Sequence, residues 1–209
     1  GARSALRAMI IYACSSNPGK LREFALAASR PGNDRITIEP LPGLRNIAPP
    51  EEHGSTFEEN AAAKAVYYSE FTDGLVFADD SGFEVEALNG APGVYSARYA
   101  GPQATDEENN RLVLQRTAHP QDRRARFVCV LALARSGKLL ASLRGSVEGE
   151  ILHVPRGQNG FGYDPLFFIP PLSRSFAELT AEEKFAVSHR GHALRAMAAW
   201  LRAHPAAFV

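Results

Sequence analysis

Four apolar residues, Leu75 to Ala78, end abruptly at two adjacent acids, Asp79 and Asp80, followed by Ser81-Gly82. Such a run is typical of a buried strand, and a strand that stops at two acids presents carboxylates at its carboxyl end, where α/β proteins commonly build their sites. Two carboxylates there favour a divalent cation. A solvated strand-to-turn junction stays open on these residues alone, because Asp, Ser and Gly are ordinary turn residues.

The charge balance of the chain limits its partners. Lys plus Arg (23) equals Asp plus Glu (23) among 209 residues, so no global field draws the protein to nucleic acid or to an anionic membrane. A nucleic-acid-binding domain is disfavoured for the same reason. Any phosphate that the protein binds must therefore be held by local groups.

The two cysteines and the apolar runs indicate a cellular setting. Cys14 and Cys129 lie in strand-like runs and form no C-x-x-C spacing, which argues against a disulfide framework or a zinc site and favours a reducing, cytoplasmic location. The apolar stretch 128–134 is far shorter than the roughly 20 residues that span a bilayer. We expect residues 1–8, which include no initiator Met, to be extraneous or unstructured, and residues 9–209 to form a single domain.

Strand and helix signals alternate along the chain without a repeat. Met9 to Cys14 predicts a first strand that a turn joins to a helix, and Phe83 to Leu88 predicts a later strand. The long apolar run from Arg126 to Ala134, followed by Ser136-Gly137, predicts an antiparallel hairpin. We therefore expect an α/β fold with a mixed, twisted central sheet flanked by helices, and two lobes with the active-site cleft between them.

Capping patterns predict where several helices begin. Thr56 and Glu59 form a capping-box pattern, and in the helix that follows, Asn60 and Lys64 lie four residues apart on a shared face. Thr105 and Thr180 each precede a Glu by three residues in the same way, and Ser188 is predicted to cap the last helix.

Three further polar segments could serve a nucleotide. The segment Ser15–Lys20 follows a strand, opens a helix and ends in Gly-Lys, a pattern that brings backbone N–H groups and an ammonium to a phosphate, although it is not a Walker A loop. The glycine-rich loop 157–165 carries Phe161 and Tyr163, whose rings could stack on a nucleobase. Lys184 and the pair His189-Arg190 add donors near helix ends. Each segment has an ordinary structural alternative: a capped helix start, a core-covering loop or solvated charges.

Taken together and in order, these segments resemble the inosine triphosphate pyrophosphatases, also called XTP/dITP diphosphatases. The segment Ser15–Lys20 is similar to the family's T-G-N-x-x-K phosphate loop, with Ser15-Ser16 in place of Thr-Gly. The likeness covers nearly the whole chain, from about Met9 to Leu201. The other matching segments are Thr56 to Ala61 (T-F-x-E-N-A), Ala78 to Gly82 (A-D-D-S-G), Gly93 to Tyr99, Gly160 to Pro165 and Ser188 to Gly191.

The resemblance implies hydrolysis of purine nucleoside triphosphates with a 6-oxo base (ITP, dITP, XTP) to the monophosphate and pyrophosphate, which removes deaminated purines from the nucleotide pool. It also implies Mg²⁺ as the cofactor and a homodimer. By position, Asp80 is the proton acceptor, Glu51 and Asp80 are the Mg²⁺ ligands, and Asp79 is a further candidate ligand. The substrate-binding positions are Ser15, Ser16, Asn17, Pro18, Gly19, Lys20, Asn60, Lys64, Ser81, Arg98, Phe161, Gly162, Tyr163, Asp164, Lys184, His189 and Arg190.

Selectivity for the base is expected from hydrogen bonding. A 6-oxo group accepts hydrogen bonds from donors such as His189 or Arg190, whereas adenine presents an amino donor there and leaves those donors unpaired. Two other functions stay open from the sequence. One is a pyrophosphatase for pyrimidine or modified nucleotides, and the other is a nucleotide-binding module without catalysis, for which the acidic group would be superfluous.

Overall fold

The fold is built on one mixed β-sheet with helices on both faces. A computed structural model describes residues 9–29, 36–119 and 121–208. The expectation that residues 1–8 are extraneous or unstructured concerns a segment outside the described residues. The strands of the described chain are β1 (Met9–Ala13), β2 (Ile36–Pro40), β3 (Leu75–Val85), β4 (Arg124–Arg135), β5 (Lys138–Ile151), β6 (Phe167–Ile169) and β7 (Arg174–Ser175). Its α-helices are α1 (Pro18–Ala28), α2 (Phe57–Tyr68), α3 (Asp106–Arg116), α4 (Ala181–Val187) and α5 (His189–Ala203).

The strand order creates a crevice beside β1. In the described chain the order is β2-β1-β3-β4-β5-β6-β7, with β1 parallel to both neighbours and the remaining pairs antiparallel. The mixed sheet predicted from the sequence is confirmed. Strands β2 and β3 lie on opposite sides of β1, so the connections that leave β1 and β2 run to opposite sides of the sheet. Such a topological switch point leaves a crevice at the carboxyl ends of the strands.

The acidic pair lies inside a strand, which corrects the expectation of a strand ending at Asp79. Strand β3 runs unbroken through both acids, and its residues from Val76 to Val85 pair with β4. The separate strand predicted at Phe83 to Leu88 is therefore the second half of β3, followed by a 3₁₀ turn at Glu86–Leu88. The apolar partner strand β4 supplies the backbone hydrogen bonds that keep β3 extended through Asp79 and Asp80 and beyond them.

The alternation of a strand sends the two acids to opposite faces of the sheet. Phe77, two residues before Asp79, packs in a cluster with Phe24 of α1 and Leu194 of α5. Ala78, two residues before Asp80, packs with Ala61 of α2. Each carboxylate therefore meets a different set of helices.

The edge of β3 next to the acids is left open by the shorter strand β1. Strand β1 ends at Ala13, opposite Phe77, and the following residue, Cys14, donates its N–H to the Phe77 carbonyl at 2.9 Å. Beyond this point β3 has no β1 partner. The loop that leads into α1 therefore passes beside the acidic pair.

Local sequence signals place the helix starts and the hairpin as predicted. Thr56 Oγ1 accepts a hydrogen bond from the Glu59 N–H at 3.1 Å, and Ser188 Oγ accepts one from the Gly191 N–H at 3.0 Å. Capping boxes form at Thr105 and Thr180. Strands β4 and β5 form the long antiparallel hairpin. No helix in the described ranges has the length and apolar character needed to cross a bilayer.

One close approach between β5 and α5 requires glycine. A Cβ atom at Gly145 would lie 2.1 Å from the His189 carbonyl oxygen and 2.5 Å from the Ala193 nitrogen, distances that no real Cβ tolerates. The absence of a side chain at Gly145 lets the first turn of α5 sit directly on the sheet. This contact sets the depth at which His189 and Arg190 enter the site.

Candidate active site

The loop after β1 carries the first cation of the site. Asn17 caps α1, its Oδ1 accepting a hydrogen bond from the Lys20 N–H at 3.1 Å, and Pro18 occupies the first turn, where an N–H is not needed. The Lys20 ammonium reaches the Asp79 carboxylate at 2.9 Å. The predicted phosphate loop is thus tied to the acidic pair.

Asp79 is the centre of a buried ion-pair cluster. Its side chain is only 2% exposed and contacts Lys20, while the Arg190 guanidinium lies 3.6 Å away and the Ser81 hydroxyl donates to it at 3.3 Å. Burial opposes the charge of this carboxylate, but Lys20 and then Arg190 outweigh that cost and lower the pKa of Asp79 to about 2. Asp79 is therefore held ionised.

Asp80 lies on the opposite face, against α2. Asn60 Nδ2 donates to its Oδ2 at 3.2 Å, and the Lys64 ammonium lies 3.3 Å from its Oδ1. Burial raises the pKa of Asp80 above its ordinary value, and the attraction of Lys64 offsets that effect only in part. The two neighbouring acids thus differ in basicity, Asp80 being the stronger proton acceptor.

Glu52, rather than Glu51, joins the Asp80 group. The Glu51 side chain is 83% exposed and pairs with His53, so the structure leaves the predicted metal ligand in solvent. Glu52 instead holds Lys64 at 2.7 Å and lies 3.5 Å from Arg98. Although burial opposes its charge, the hydrogen bond from Lys64 lowers the pKa of Glu52. Glu52 and Asp80 therefore share one ammonium.

An aromatic cavity of about 140 Å³ opens beside Lys20 and Ser81. The Phe161 ring covers Gly19, where a Cβ would lie 2.5 Å from the ring, and the Lys184 ammonium lies 4.9 Å from the ring centroid. The Tyr163 ring is part of the wall: it stacks on Phe83, and its hydroxyl donates to the Ser96 carbonyl at 2.6 Å. The ring positioned to serve a ligand is thus that of Phe161.

His189 and Arg190 reach this cavity as buried groups with unused polar atoms. The His189 ring stacks on Phe127 at 4.6 Å, and burial, then the charges of Arg190 and Lys184, lower the pKa of His189 well below its usual value. Its Nδ1 and the Arg190 Nε have no hydrogen-bond partner among the described residues. Buried polar atoms normally have hydrogen-bond partners. A ligand in the cavity would supply a partner for each of these two nitrogen atoms.

Glu23 is a member of the site that the motifs did not indicate. It accepts from Arg190 Nη1 and pairs with Lys184 at 2.7 Å, while Lys184 also pairs with Asp164. Burial opposes its charge, but Arg190 and Lys184 lower the pKa of Glu23. The sequence feature that could have predicted Glu23 as a site residue is its spacing: it lies three residues after Lys20, on the same face of α1.

Helix α3 fixes the glycine-rich loop beside the cavity. The Gly162 N–H donates to Asp106 Oδ2 at 2.7 Å, and the Gly162 carbonyl accepts from Asn110 Nδ2 at 3.0 Å. Gly162 has a φ of 62°, a conformation that glycine adopts without strain. The Phe161 ring next to it is thereby held in place by two side chains that sequence reasoning missed.

A second, polar cavity of about 330 Å³ adjoins the aromatic one. The two cavities share Asn17 and Lys20 in their walls. Predicted site residues of the aromatic cavity are Ser81, Phe161, Gly162, Tyr163, Asp164, Lys184, His189 and Arg190. The polar cavity is lined by Ser15, Ser16, Lys64 and Asp79, together with Arg45, Glu52 and others that the motifs did not single out.

An α/β protein with its ligand site at the switch point of a mixed sheet is the class that fold and site define. The model of the Ham1 family matches residues 11–200, and the chain belongs to this family. The resemblance drawn from six motifs is thereby confirmed.

Known relatives cover almost the whole chain. A dITP/XTP pyrophosphatase from Acidobacterium capsulatum is 51% identical over 203 residues, which span 93% of this chain and 98% of the relative. A dITP/XTP pyrophosphatase from Thermus thermophilus is 48% identical over 92% of this chain and 91% of its own length. The solved structure of the Staphylococcus aureus Ham1 protein is similar with a TM-score of 0.82 at 40% identity, over 93% of this chain and 99% of that one.

Replacing Asp79 by Asn should destabilise the protein, because Lys20 and Arg190 would lose their buried carboxylate. We expect the free energy of unfolding at pH 7 to fall by about 3 kcal/mol, measured by urea denaturation. The pKa of Asp79 is lower in the folded state, so its contribution is present above about pH 4 and is lost as the pH falls towards about 2. The difference in the free energy of unfolding between the unchanged protein and Asp79→Asn should therefore narrow as the pH falls from about 4 to about 2.

Asp122→Asn is the matched control. Asp122 pairs with Arg124, which lowers the pKa of Asp122 to about 2, but the pair is exposed and the substitution should change little. A stability of Asp79→Asn equal to that of the control, or a difference that does not vary with pH, would contradict the role assigned to Asp79.

Proposed function

We propose that this chain hydrolyses purine nucleoside triphosphates with a 6-oxo base, namely ITP, dITP and XTP, to the monophosphate and pyrophosphate. The supporting observation is the pair of cavities that share Asn17 and Lys20 in their walls, one aromatic and one polar, with Asp80 3.3 Å from Lys64 in the wall of the polar cavity. A base and a phosphate tail need surroundings of these two kinds on one continuous path. The names of the relatives from Acidobacterium capsulatum and Thermus thermophilus agree with this activity.

The aromatic cavity is proposed to hold the base. Phe161 would stack on the heterocycle, a contact worth roughly 1 to 3 kcal/mol per base. The His189 Nδ1 and the Arg190 Nε, both without partners among the described residues, would donate to the 6-oxo group when the imidazole carries its proton on Nδ1. An adenine amino group cannot accept those hydrogen bonds, so ATP would leave two buried donors unsatisfied.

Asp80 is proposed to accept the proton of the attacking water. The water oxygen bonds to the α-phosphorus, the bond between that phosphorus and the bridging oxygen breaks, and pyrophosphate leaves with the bonding electrons. Burial raises the pKa of Asp80, whereas Lys20 and Arg190 hold the pKa of Asp79 at about 2, so Asp80 is the stronger base of the two. Lys20 and Lys64 would neutralise charge on the phosphates, and Asn60 would hold the Asp80 carboxylate in place.

The donor set around Asp80 fits a magnesium ion. No group of three or more His, Cys, Asp or Glu side chains within the described residues is placed to hold a metal, so the protein would offer Glu52 and Asp80 and leave the other positions to phosphate and water. Mg²⁺ typically takes one or two carboxylates in this way, whereas zinc sites need more protein ligands. When bound, the ion would lower the pKa of a water and neutralise phosphate charge.

Three further features remain proposals. They are a homodimer, a cytoplasmic location, and a two-lobed single domain over residues 9–209 whose cleft holds the nucleotide. All three follow from the sequence and the family resemblance. Sedimentation of the purified chain would test the first, with a mass near twice 22.7 kDa as the expected result.

A panel of triphosphates tests the proposed activity. With Mg²⁺ present, we expect pyrophosphate release from ITP, dITP and XTP, with kcat/KM at least about 100-fold above that for ATP, because adenine leaves buried donors unpaired. Pyrimidine triphosphates serve as the second comparison. Equal kcat/KM values for ATP and ITP, or a preference for a pyrimidine, would refute the proposed substrate class.

Asp80→Asn should abolish pyrophosphate release while keeping the fold, because the amide cannot accept the water proton. We expect kcat to fall by about 100-fold or more, the lower range for loss of a general base. Near-native circular dichroism and thermal unfolding would show that the loss is chemical. Turnover close to that of the unchanged protein would remove Asp80 from the role of proton acceptor.

Glu52→Gln and Glu51→Gln form a matched pair for the metal site. Glu52 shares Lys64 with Asp80, whereas Glu51 is exposed, so only the first change should weaken Mg²⁺ binding. We expect the Mg²⁺ concentration for half-maximal activity to rise about tenfold in Glu52→Gln and to stay unchanged in Glu51→Gln. Weaker Mg²⁺ binding in Glu51→Gln alone would instead indicate that Glu51, the residue predicted from the sequence, binds the metal.

A further inference from the structure

The loop between β2 and α2 is braced against the site at both ends. The Leu41 N–H donates to the Ala13 carbonyl at 3.0 Å, and the Tyr67 hydroxyl donates to the Ala48 carbonyl at 2.8 Å. Between these points Leu44–Asn46 forms a 3₁₀ turn preceded by Gly43, whose φ of 74° glycine accommodates without strain. The stretch rich in Pro and Gly is therefore a fixed support beside the end of β1.

Arg45 lies on this turn and lines the polar cavity. Its neighbours in the cavity wall include Ser15 and Ser16 of the phosphate loop, and Lys64 of α2. The Arg45 side chain is exposed, and no carboxylate within the described residues forms an ion pair with it. A ligand entering the cavity would meet an unpaired guanidinium.

The other cations of the polar cavity are already committed to acids. Lys20 is held by Asp79, and Lys64 is held by Glu52 and Asp80. Their charges are largely balanced within the protein. Among the described lining residues, Arg45 is therefore the cation without a carboxylate partner, and its guanidinium is available to the additional negative charge of a third phosphate group.

The order of the cavities sets which phosphate Arg45 would meet. A base in the aromatic cavity places the first phosphates near Asn17 and Lys20, which belong to both cavities. The tail then extends among residues found only in the polar cavity. A terminal phosphate has three free oxygens, which suit the paired N–H groups of an arginine better than a bridging phosphate does.

We propose that Arg45 binds the terminal phosphate of the substrate and makes the site selective for triphosphates over diphosphates. This inference rests on the proposed function and assigns to it a specificity residue outside the six motifs. Arg45 touches the leaving pyrophosphate in this assignment and takes no proton.

Inosine diphosphate isolates the terminal phosphate, since it keeps the base and the first two phosphates of ITP. In Arg45→Ala we expect kcat/KM for ITP to fall about tenfold, while the inhibition constant of inosine diphosphate against ITP turnover changes by less than about twofold. Arg45→Lys should recover part of the ITP loss, because an ammonium keeps the charge but not the two parallel hydrogen bonds.

Arg22→Ala is the matched control, because Arg22 is an exposed arginine of α1 that does not line the polar cavity. It should leave both constants unchanged. Equal losses for ITP and inosine diphosphate in Arg45→Ala, or no loss for ITP, would overturn the inference. If the unchanged protein releases pyrophosphate from ITP in the same assay, either result leaves the proposed function standing; an unchanged protein without turnover would overturn both.

Discussion

The buried carboxylate of Asp79 is the interaction on which the arrangement of the site depends. It meets Lys20 from α1 and Arg190 from α5, residues that are far apart in the sequence. A carboxylate buried without cations would be strongly destabilising, so the folded chain has to bring both helix starts to β3. Assembly of the aromatic cavity is therefore part of folding and does not wait for a ligand.

The alternation of side chains along β3 places two neighbouring acids in different surroundings and gives them different roles. Asp79 faces α1 and α5 and is held ionised by two cations, whereas Asp80 faces α2 and is the more basic of the two. A shift of one residue in the register of β3 would exchange these environments. The long pairing of β3 with β4 fixes that register and thus separates the structural carboxylate from the proposed catalytic one.

Helix starts and the hairpin could be predicted from the sequence because their signals are local. The capping pattern at Thr56 and the four-residue spacing of Asn60 and Lys64 depend only on helix geometry, and both of these side chains do reach Asp80. The continuity of β3 could not be predicted in this way. It depends on β4, which lies some fifty residues further along the chain, and two acids followed by Ser-Gly have the composition of a turn.

The choice between Glu51 and Glu52 also lies outside local rules. The two acids are adjacent in a loop without periodicity, and the one that enters the site is selected by Lys64 on a separate helix. Arg45 has no motif around it, and its place in the polar cavity follows from the brace at Leu41 and Tyr67. Glu23, by contrast, had a usable signal in its helical spacing from Lys20.

A crystal structure of the Asp80→Asn variant with ITP and Mg²⁺ would examine the whole site in one experiment. We expect the base beside Phe161, with its 6-oxo oxygen within hydrogen-bond distance of His189 or Arg190, and the phosphates running past Lys20 into the polar cavity. A nucleotide bound with its base in the polar cavity, or away from both cavities, would contradict the joined-cavity arrangement proposed for catalysis.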